Sequence, residues 1–199
     1  VARTAINICN EALAMIGTEP INAFTDEGKE AALCNLLYPS ARDEVLTLYP
    51  WSCTIARADL QRLSETPVSG YEYAYAMPND YLAGGIVETP ETMLPFEIEG
   101  GKLLTNAIEI TIKYQKQVTD PNKFSPLLAS VIATRLAQMI SMPITQSTKI
   151  SSLIDSKFEL VLLRAKGADA AGASQEPGVE PRWVDAQSVY DPLDYEEDE

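Results

Sequence analysis

Apolar residues recur every three to four positions toward both ends of the chain and every second position in its middle. Helices are therefore expected to flank a β-rich insert. Ile6, Cys9, Leu13 and Ile16 form one stripe of a helix running from about Thr4 to Ile16. Gly17 ends it, with Pro20 just beyond. A second helix is expected to begin at Thr25-Asp26, either of which can cap it. Leu33, Leu37, Ala41, Val45 and Leu48 carry its face to Tyr49, and Pro50 and Trp51 close it. Pro39 removes a backbone donor inside this run. Because the stripe keeps phase across it, the spacing predicts a kink rather than two separate helices.

The middle third is punctuated by Pro67, Gly70, Pro78, Gly84, Gly85, Pro90, Pro95, Gly100 and Gly101. Short strand-like runs lie between them. Tyr71, Tyr73 and Tyr75 alternate with Glu72, Ala74 and Ala76, and 81–87 is a weaker run. Phe96 and Ile98 alternate with Glu97 and Glu99 before Gly100-Gly101 turns the chain into Lys102-Leu103-Leu104. Ile108, Ile110, Ile112 and Tyr114 make the clearest strand, one face buried and one wet. Helices then return. Asp120-Pro121 or Ser125-Pro126 supplies a cap followed by proline. Leu128, Ile132, Leu136 and Ile140 mark a third helix that Pro143 should end. Ile150, Ile154, Phe158, Val161, Leu162 and Ala165 mark a fourth from about Thr145 to Ala171, weakened by Gly167 and Gly172.

The expected architecture is α+β, mainly α. Residues 1–50 carry N-terminal helices, 51–119 an inserted antiparallel β-domain, and 120–174 the C-terminal helices that complete a bundle of about four. Residues 175–199 form an extended acidic arm. At 46% hydrophobic and 22% charged residues, the chain has enough apolar surface for a core without disulfide staples.

Composition narrows the chemistry. Histidine is absent, which removes the usual triads, histidine general bases and most zinc sites. No phosphate-binding glycine loop, nucleophile elbow or kinase signature is present. Cys9, Cys34 and Cys53 are odd in number and widely spaced, so buried free thiols are expected rather than a metal site. Neither a catalytic residue, a metal nor a cofactor is expected. The stretch Val1-Ala2-Arg3-Thr4-Ala5-Ile6 lacks the pattern of a signal peptide, since Asn7, Asn10 and Glu11 interrupt its apolar positions. No uninterrupted apolar run approaches the roughly 18–20 residues of a membrane span. Folding in the cytoplasm and no membrane partner are the expectations. Asp26, Glu27 and Glu30 near Lys29 fit a solvated helix start better than paired catalytic carboxylates. The row Tyr71, Tyr73, Tyr75 fits the buried face of a strand better than a base-stacking platform.

Net charge is −14, and nine acids against one base, Arg182, place −8 of it between Glu176 and Glu199. Such a chain does not grip phosphates over a broad face. The acidic segment nevertheless carries Trp183, Val184, Val189, Tyr190, Leu193 and Tyr195. A free solvated tail rarely carries residues of this kind, so a docking arm is weighed against a disordered solubilising tail. Trp183, Val189, Tyr190, Leu193 and Tyr195 are the candidate anchors for another polypeptide, with Asp191, Asp194, Glu196 and Glu197 turned to a basic patch.

Several strings occur in a telling order. Ala12-Leu13-Ala14-Met15-Ile16-Gly17 precedes Glu19-Pro20-Ile21. Ala32-Leu33-Cys34-Asn35-Leu36-Leu37-Tyr38 precedes Ala41-Arg42-Asp43-Glu44-Val45-Leu46 and Pro50-Trp51. Then come Tyr73-Ala74-Tyr75-Ala76-Met77-Pro78-Asn79-Asp80-Tyr81-Leu82, Tyr114, Val118-Thr119-Asp120-Pro121 and Phe124-Ser125-Pro126. Leu136-Ala137 and Pro143-Ile144-Thr145 complete the series. In this order, over about residues 3–170, the chain resembles the tail tubular protein A family of short-tailed phages and related prophages. The resemblance implies a structural virion protein with no catalytic residues. Such head-to-tail adaptors form rings, typically of twelve subunits, between the portal protein and the tail nozzle, near the fibres. They are assembled in the host cytoplasm, and DNA passes through the ring at ejection without specific binding. The residues leave two other classes open: another head-completion or tail-terminator ring protein, and an acidic adaptor for host proteins. A carboxylate hydrolase acting on glycan would need paired acids on rigid elements, and no spacing suggests them.

Overall fold

Side chains serve the first amide groups of the helices that follow Thr4, Ser125 and Ser147, whereas the helix after Gly28 starts without a side-chain cap. A computed structural model of the chain describes residues 2–68, 70–88 and 95–172. Helix α1 spans Ala5–Ile16. Thr4 accepts from the Asn7 amide while the Asn7 side chain accepts from the Thr4 amide, a reciprocal cap. Gly17, at φ 77°, closes the other end in the left-handed region.

Helix α2, Lys29–Thr47, starts later than expected. Asp26 does not cap it. Its carboxylate instead accepts from the amides of Asn22 and Ala23 at 2.7 and 3.0 Å, closing a separate turn upstream. The helix is a single element of 19 residues that runs through Pro39. Its core face is also rotated from the expected one. Ala31, Cys34, Tyr38, Ala41, Arg42, Val45 and Leu46 are buried, whereas Leu33 and Leu37 are half-buried and Leu48 is exposed. The small residues Ala31, Cys34 and Ala41 thus turn inward, which permits close helix approach.

Asp120-Pro121 and Ser125-Pro126 both act as starts. The first opens a 3-10 turn, Pro121–Lys123. The second opens α3, Pro126–Thr145, where the Ser125 hydroxyl accepts from the Leu128 amide. Pro143 does not end α3, which continues to a left-handed stop at Gln146. Side chains take over carbonyls of this last turn: Thr145 donates to Ser141 and the Lys29 ammonium to Pro143. Helix α4 follows at Thr148–Gly172.

Helix α3 is the hub, packing against α1, α2 and α4. Leu128, Ile132, Leu136 and Ile140 are fully buried, as the spacing predicts. By length and composition α3 is apolar enough to cross a membrane. Ser130, Thr134, Arg135 and Gln138 break its sequence into shorter apolar runs. Most of its apolar side chains pack into one core that also holds Ile8, Leu13, Val45, Trp51, Ile154 and Phe158, while Leu127 and Met142 stay exposed.

The middle third makes two three-stranded antiparallel sheets. Strands β1 (Ile55–Asp59), β3 (Tyr81–Glu88) and β6 (Thr111–Lys116) form the first, with β6 central. Strands β2 (Tyr73–Ala76), β4 (Phe96–Glu99) and β5 (Lys102–Thr105) form the second, with β5 central. Glu99 pairs with Lys102 across Gly100-Gly101, whose φ values of 58° and 76° give the tight two-residue hairpin expected. The strand expected from Ile108 begins only at Thr111. The Tyr75 hydroxyl sits 2.6 and 2.8 Å from the carbonyls of Ala107 and Ile108, and Ile108 is 70% exposed. Those carbonyls are held by a side chain rather than a ladder. A second core, around Tyr75, Val87, Leu103, Ile112 and Tyr114, fills this module.

The two cores meet at a polar seam. The Gln115 amide donates to the carbonyls of Leu46 and Tyr49 at 3.1 and 2.7 Å. Gln117 donates to Asp43 at 2.7 Å, and the Lys116 amide to the Thr54 carbonyl at 2.7 Å.

Candidate assembly surface

The sequence directs attention to Trp183, Val189, Tyr190, Leu193 and Tyr195, all of which lie outside the described residues. The structure does describe the helix that leads into that segment. Ile154, Phe158, Leu162 and Ala165 of α4 are buried, with Ile150 and Val161 half-buried beside them. At 100° per residue these positions make one face, which lies on α3.

Leucines also occupy the opposite face. Leu153, Leu160 and Leu163 are 67, 49 and 69% exposed, and helical geometry lines them up over about 15 Å. Lys149 lies along this line, and Lys157 and Arg164 border it, all three exposed. Among the described residues, none of these cations has an ion-pair or hydrogen-bond partner. Two of the helix's acids are already engaged: Asp155 accepts from Gln138 at 3.0 Å, and Asp169 from the Ser52 amide and hydroxyl at 2.9 Å. With exposed Ser152, Ser156 and Glu159 among and beside the leucines, the outer face of α4 carries a net positive charge, on a protein of net charge −14.

The face is held on a stiff frame. Glu44 of α2 pairs with Arg135 of α3 at 2.8 Å, Arg135 donates to Gln138 at 3.0 Å, and Gln138 reaches Asp155 of α4. The Lys166 ammonium lies 5.8 Å from the Tyr49 ring centre. The chain thus ties α2, α3 and α4 along one side.

Other groups marked by the sequence have settled roles. Tyr75 is buried with its hydroxyl engaged, and the Arg62 guanidinium covers the Tyr73 ring at 3.8 Å. Tyr71 and Tyr73 are half-buried, so the row is not a free stacking platform. Lys29 and Asp26 are engaged as described, and Glu30 sits in the first turn of α2. Cys9 and Cys34 are fully buried, and Cys53 is half-buried. Hydrogen bonding with Cys34 and burial push the Cys9 thiol up, and burial does the same to Cys53. Thiols held protonated are poor nucleophiles. Among the described residues, no three carboxylates or thiols converge to hold a metal. An open groove of about 360 Å³ lies between Asp59, Arg62, Tyr75, Ile108, Glu109 and Thr111. Asp59 accepts there from the Thr111 hydroxyl at 2.5 Å.

Neither a family model nor a curated protein matches this chain. The outer face of α4 was missed in the sequence because only the stripe from Ile150 to Ala165 was followed. The signal was present: positions 153, 160 and 163 fall opposite 154, 158, 162 and 165, so the helix has two apolar faces and only one core.

Proposed function

We propose that this chain is a head-to-tail adaptor of a short-tailed phage, a structural ring subunit joining the portal protein to the tail nozzle. The observation that carries the reading is the ordered series of strings from Ala12-Leu13 to Pro143-Ile144-Thr145, a resemblance covering about residues 3–170. A twelve-subunit ring in the virion neck and a channel that passes DNA at ejection belong to the same proposal. Two physical features support it. A rigid bundle with a leucine-bearing, net-positive helix face that nothing covers among the described residues suits a protomer that gains its remaining contacts on assembly. A ring of subunits at −14 each repels phosphate, so a duplex slides through without sticking. In this reading the protein works by contact, and no step of catalysis is assigned to it.

The test is to mix the purified full-length chain with portal-bearing heads that lack tails and to image the portal vertex. A ring of density beneath the portal is expected. Bare vertices at saturating protein, with the chain remaining free in solution, would dispose of the adaptor reading.

A further inference from the structure

We infer that the outer face of α4 is the seat for the acidic C-terminal segment, residues 175–199, of a second copy of this chain. The inference deepens the ring reading and rests on it for the copy number.

The face and the segment are complementary. The face offers Leu153, Leu160 and Leu163 with Lys149, Lys157 and Arg164, three cations that have no partner among the described residues, against one exposed acid, Glu159. The segment from Glu176 to Glu199 has nine acids, one base and the apolar side chains Trp183, Val189, Tyr190, Leu193 and Tyr195. Apolar contacts flanked by opposite charges fix both affinity and register. The basic face is also out of keeping with the strongly acidic remainder of the molecule, so it marks a place where a negative partner is accepted.

Chain length permits the contact. Helix α4 ends at Gly172, and 27 residues follow. An extended chain spans at most about 3.3–3.6 Å per residue, so Trp183 reaches roughly 35–40 Å beyond the helix. That is enough to reach an adjoining subunit. Its own α4 is within the same reach, and the ring reading is what favours a second copy, because an arm turned back on its own helix joins no subunits.

A second copy of α4 is the weaker occupant. Three leucines over about 15 Å fall well short of the roughly 800 Å² per partner of a stable interface. An antiparallel α4 pair would also set Lys157 and Arg164 of each copy against the same cations of the other. An arm and a face are different surfaces, so the contact can pass from copy to copy, and a closed ring is an arrangement that satisfies every arm and every face.

The experiment uses the full-length chain with Tyr190 replaced by the photo-cross-linker p-benzoylphenylalanine, an aromatic of related shape. Light and heavy isotope forms are mixed in equal amounts and illuminated, alone in concentrated solution and on portal-bearing heads. Cross-links from position 190 to positions 149–164 that join a light to a heavy chain are expected. The double change Lys157→Glu with Arg164→Glu should cut their yield by about tenfold, and salt near 0.5 M should weaken them too. Circular dichroism and thermal melting check that this variant still folds. Three outcomes overturn the inference: links confined to one isotope, links to a second copy outside α4, or no links to α4. Imaging of the same heads separates the two readings. Rings without these links refute the seat and leave the adaptor standing. Links with bare portals refute the adaptor and leave the seat standing.

Discussion

Trp51 is the residue on which the bundle and the β-module both lean. It is fully buried, its indole donates to the Val45 carbonyl at 2.9 Å, and its own carbonyl accepts from the amide and hydroxyl of Thr54. Trp51→Ala should cost about 3–5 kcal/mol by urea unfolding. Trp51→Phe keeps most of the volume and should cost about 1–2 kcal/mol, chiefly the hydrogen bond. Tyr38 is the opposite case, buried with a hydroxyl that has no hydrogen-bond partner among the described residues. Burial pushes its pKa up to about 12, and burial followed by the Asp80 hydrogen bond does the same at Tyr114. An unfolded tyrosine titrates near 10. Below that pH both states hold their protons, and these groups add no pH dependence. Between about pH 10 and 12 the unfolded chain loses protons that the folded one keeps, so stability falls as pH rises. Tyr38→Phe should therefore be neutral or stabilising by up to about 1 kcal/mol at pH 7, and should flatten part of the alkaline loss. Urea midpoints at pH 7 and pH 11 check both statements. A large destabilisation at pH 7 would mean that the hydroxyl has a partner after all.

At the scale of the element, α4 makes the sharpest forecast. Leu153→Ser, Leu160→Ser and Leu163→Ser should each change stability by no more than about 0.5 kcal/mol, because those side chains already face water. Ile154→Ala and Phe158→Ala should each cost about 2–5 kcal/mol. Equal costs on both faces would remove the distinction on which the candidate surface stands. Pro39 gives a second forecast. It is exposed within α2, and Pro39→Ala restores a helical donor, so thermal unfolding should show a gain of about 1–3 kcal/mol. Local chemistry made α1 legible in full, since Thr4, its apolar stripe and Gly17 all act as their types suggest. It misplaced the start of α2 because Asp26 serves its own turn. Strand β1, Ile-Ala-Arg-Ala-Asp, escaped notice because its alternation rests on two alanines. The period-two signal at 108–115 overshot because Tyr75, distant in sequence, claims the carbonyls of Ala107 and Ile108. The last of these errors comes from a tertiary partner, which no local window contains.

For the whole molecule, the α+β, mainly α class was legible from the two periodicities and their order. The division of the β-rich insert into two three-stranded sheets was not, because strand pairing is a long-range choice. The anchors named from sequence lie beyond the described residues, whereas the surface that the structure adds became visible only once one side of α4 was known to be covered. Residues 2–172 contain both cores. Truncation after Ser174 should thus leave the melting temperature within about 2 °C of the full chain, while the shortened protein should fail to decorate heads. Normal rings from it would remove any role for the acidic segment in assembly. The seam through Gln115 also predicts two tiers of amide hydrogen exchange, with α3 the slowest. Gln115→Ala should speed exchange in β6 and spare α3.

The dependence of α1 and α2 on α3 bears on how the chain is made. The two N-terminal helices touch each other little, and each rests chiefly on a helix that begins at Pro126. At about 5–20 residues per second, a ribosome needs roughly 4–16 s to travel from Thr47 to Pro126. For that interval the inward residues of both helices have nothing to lean on, so a newborn chain is a natural client for chaperones that shield apolar surface during translation.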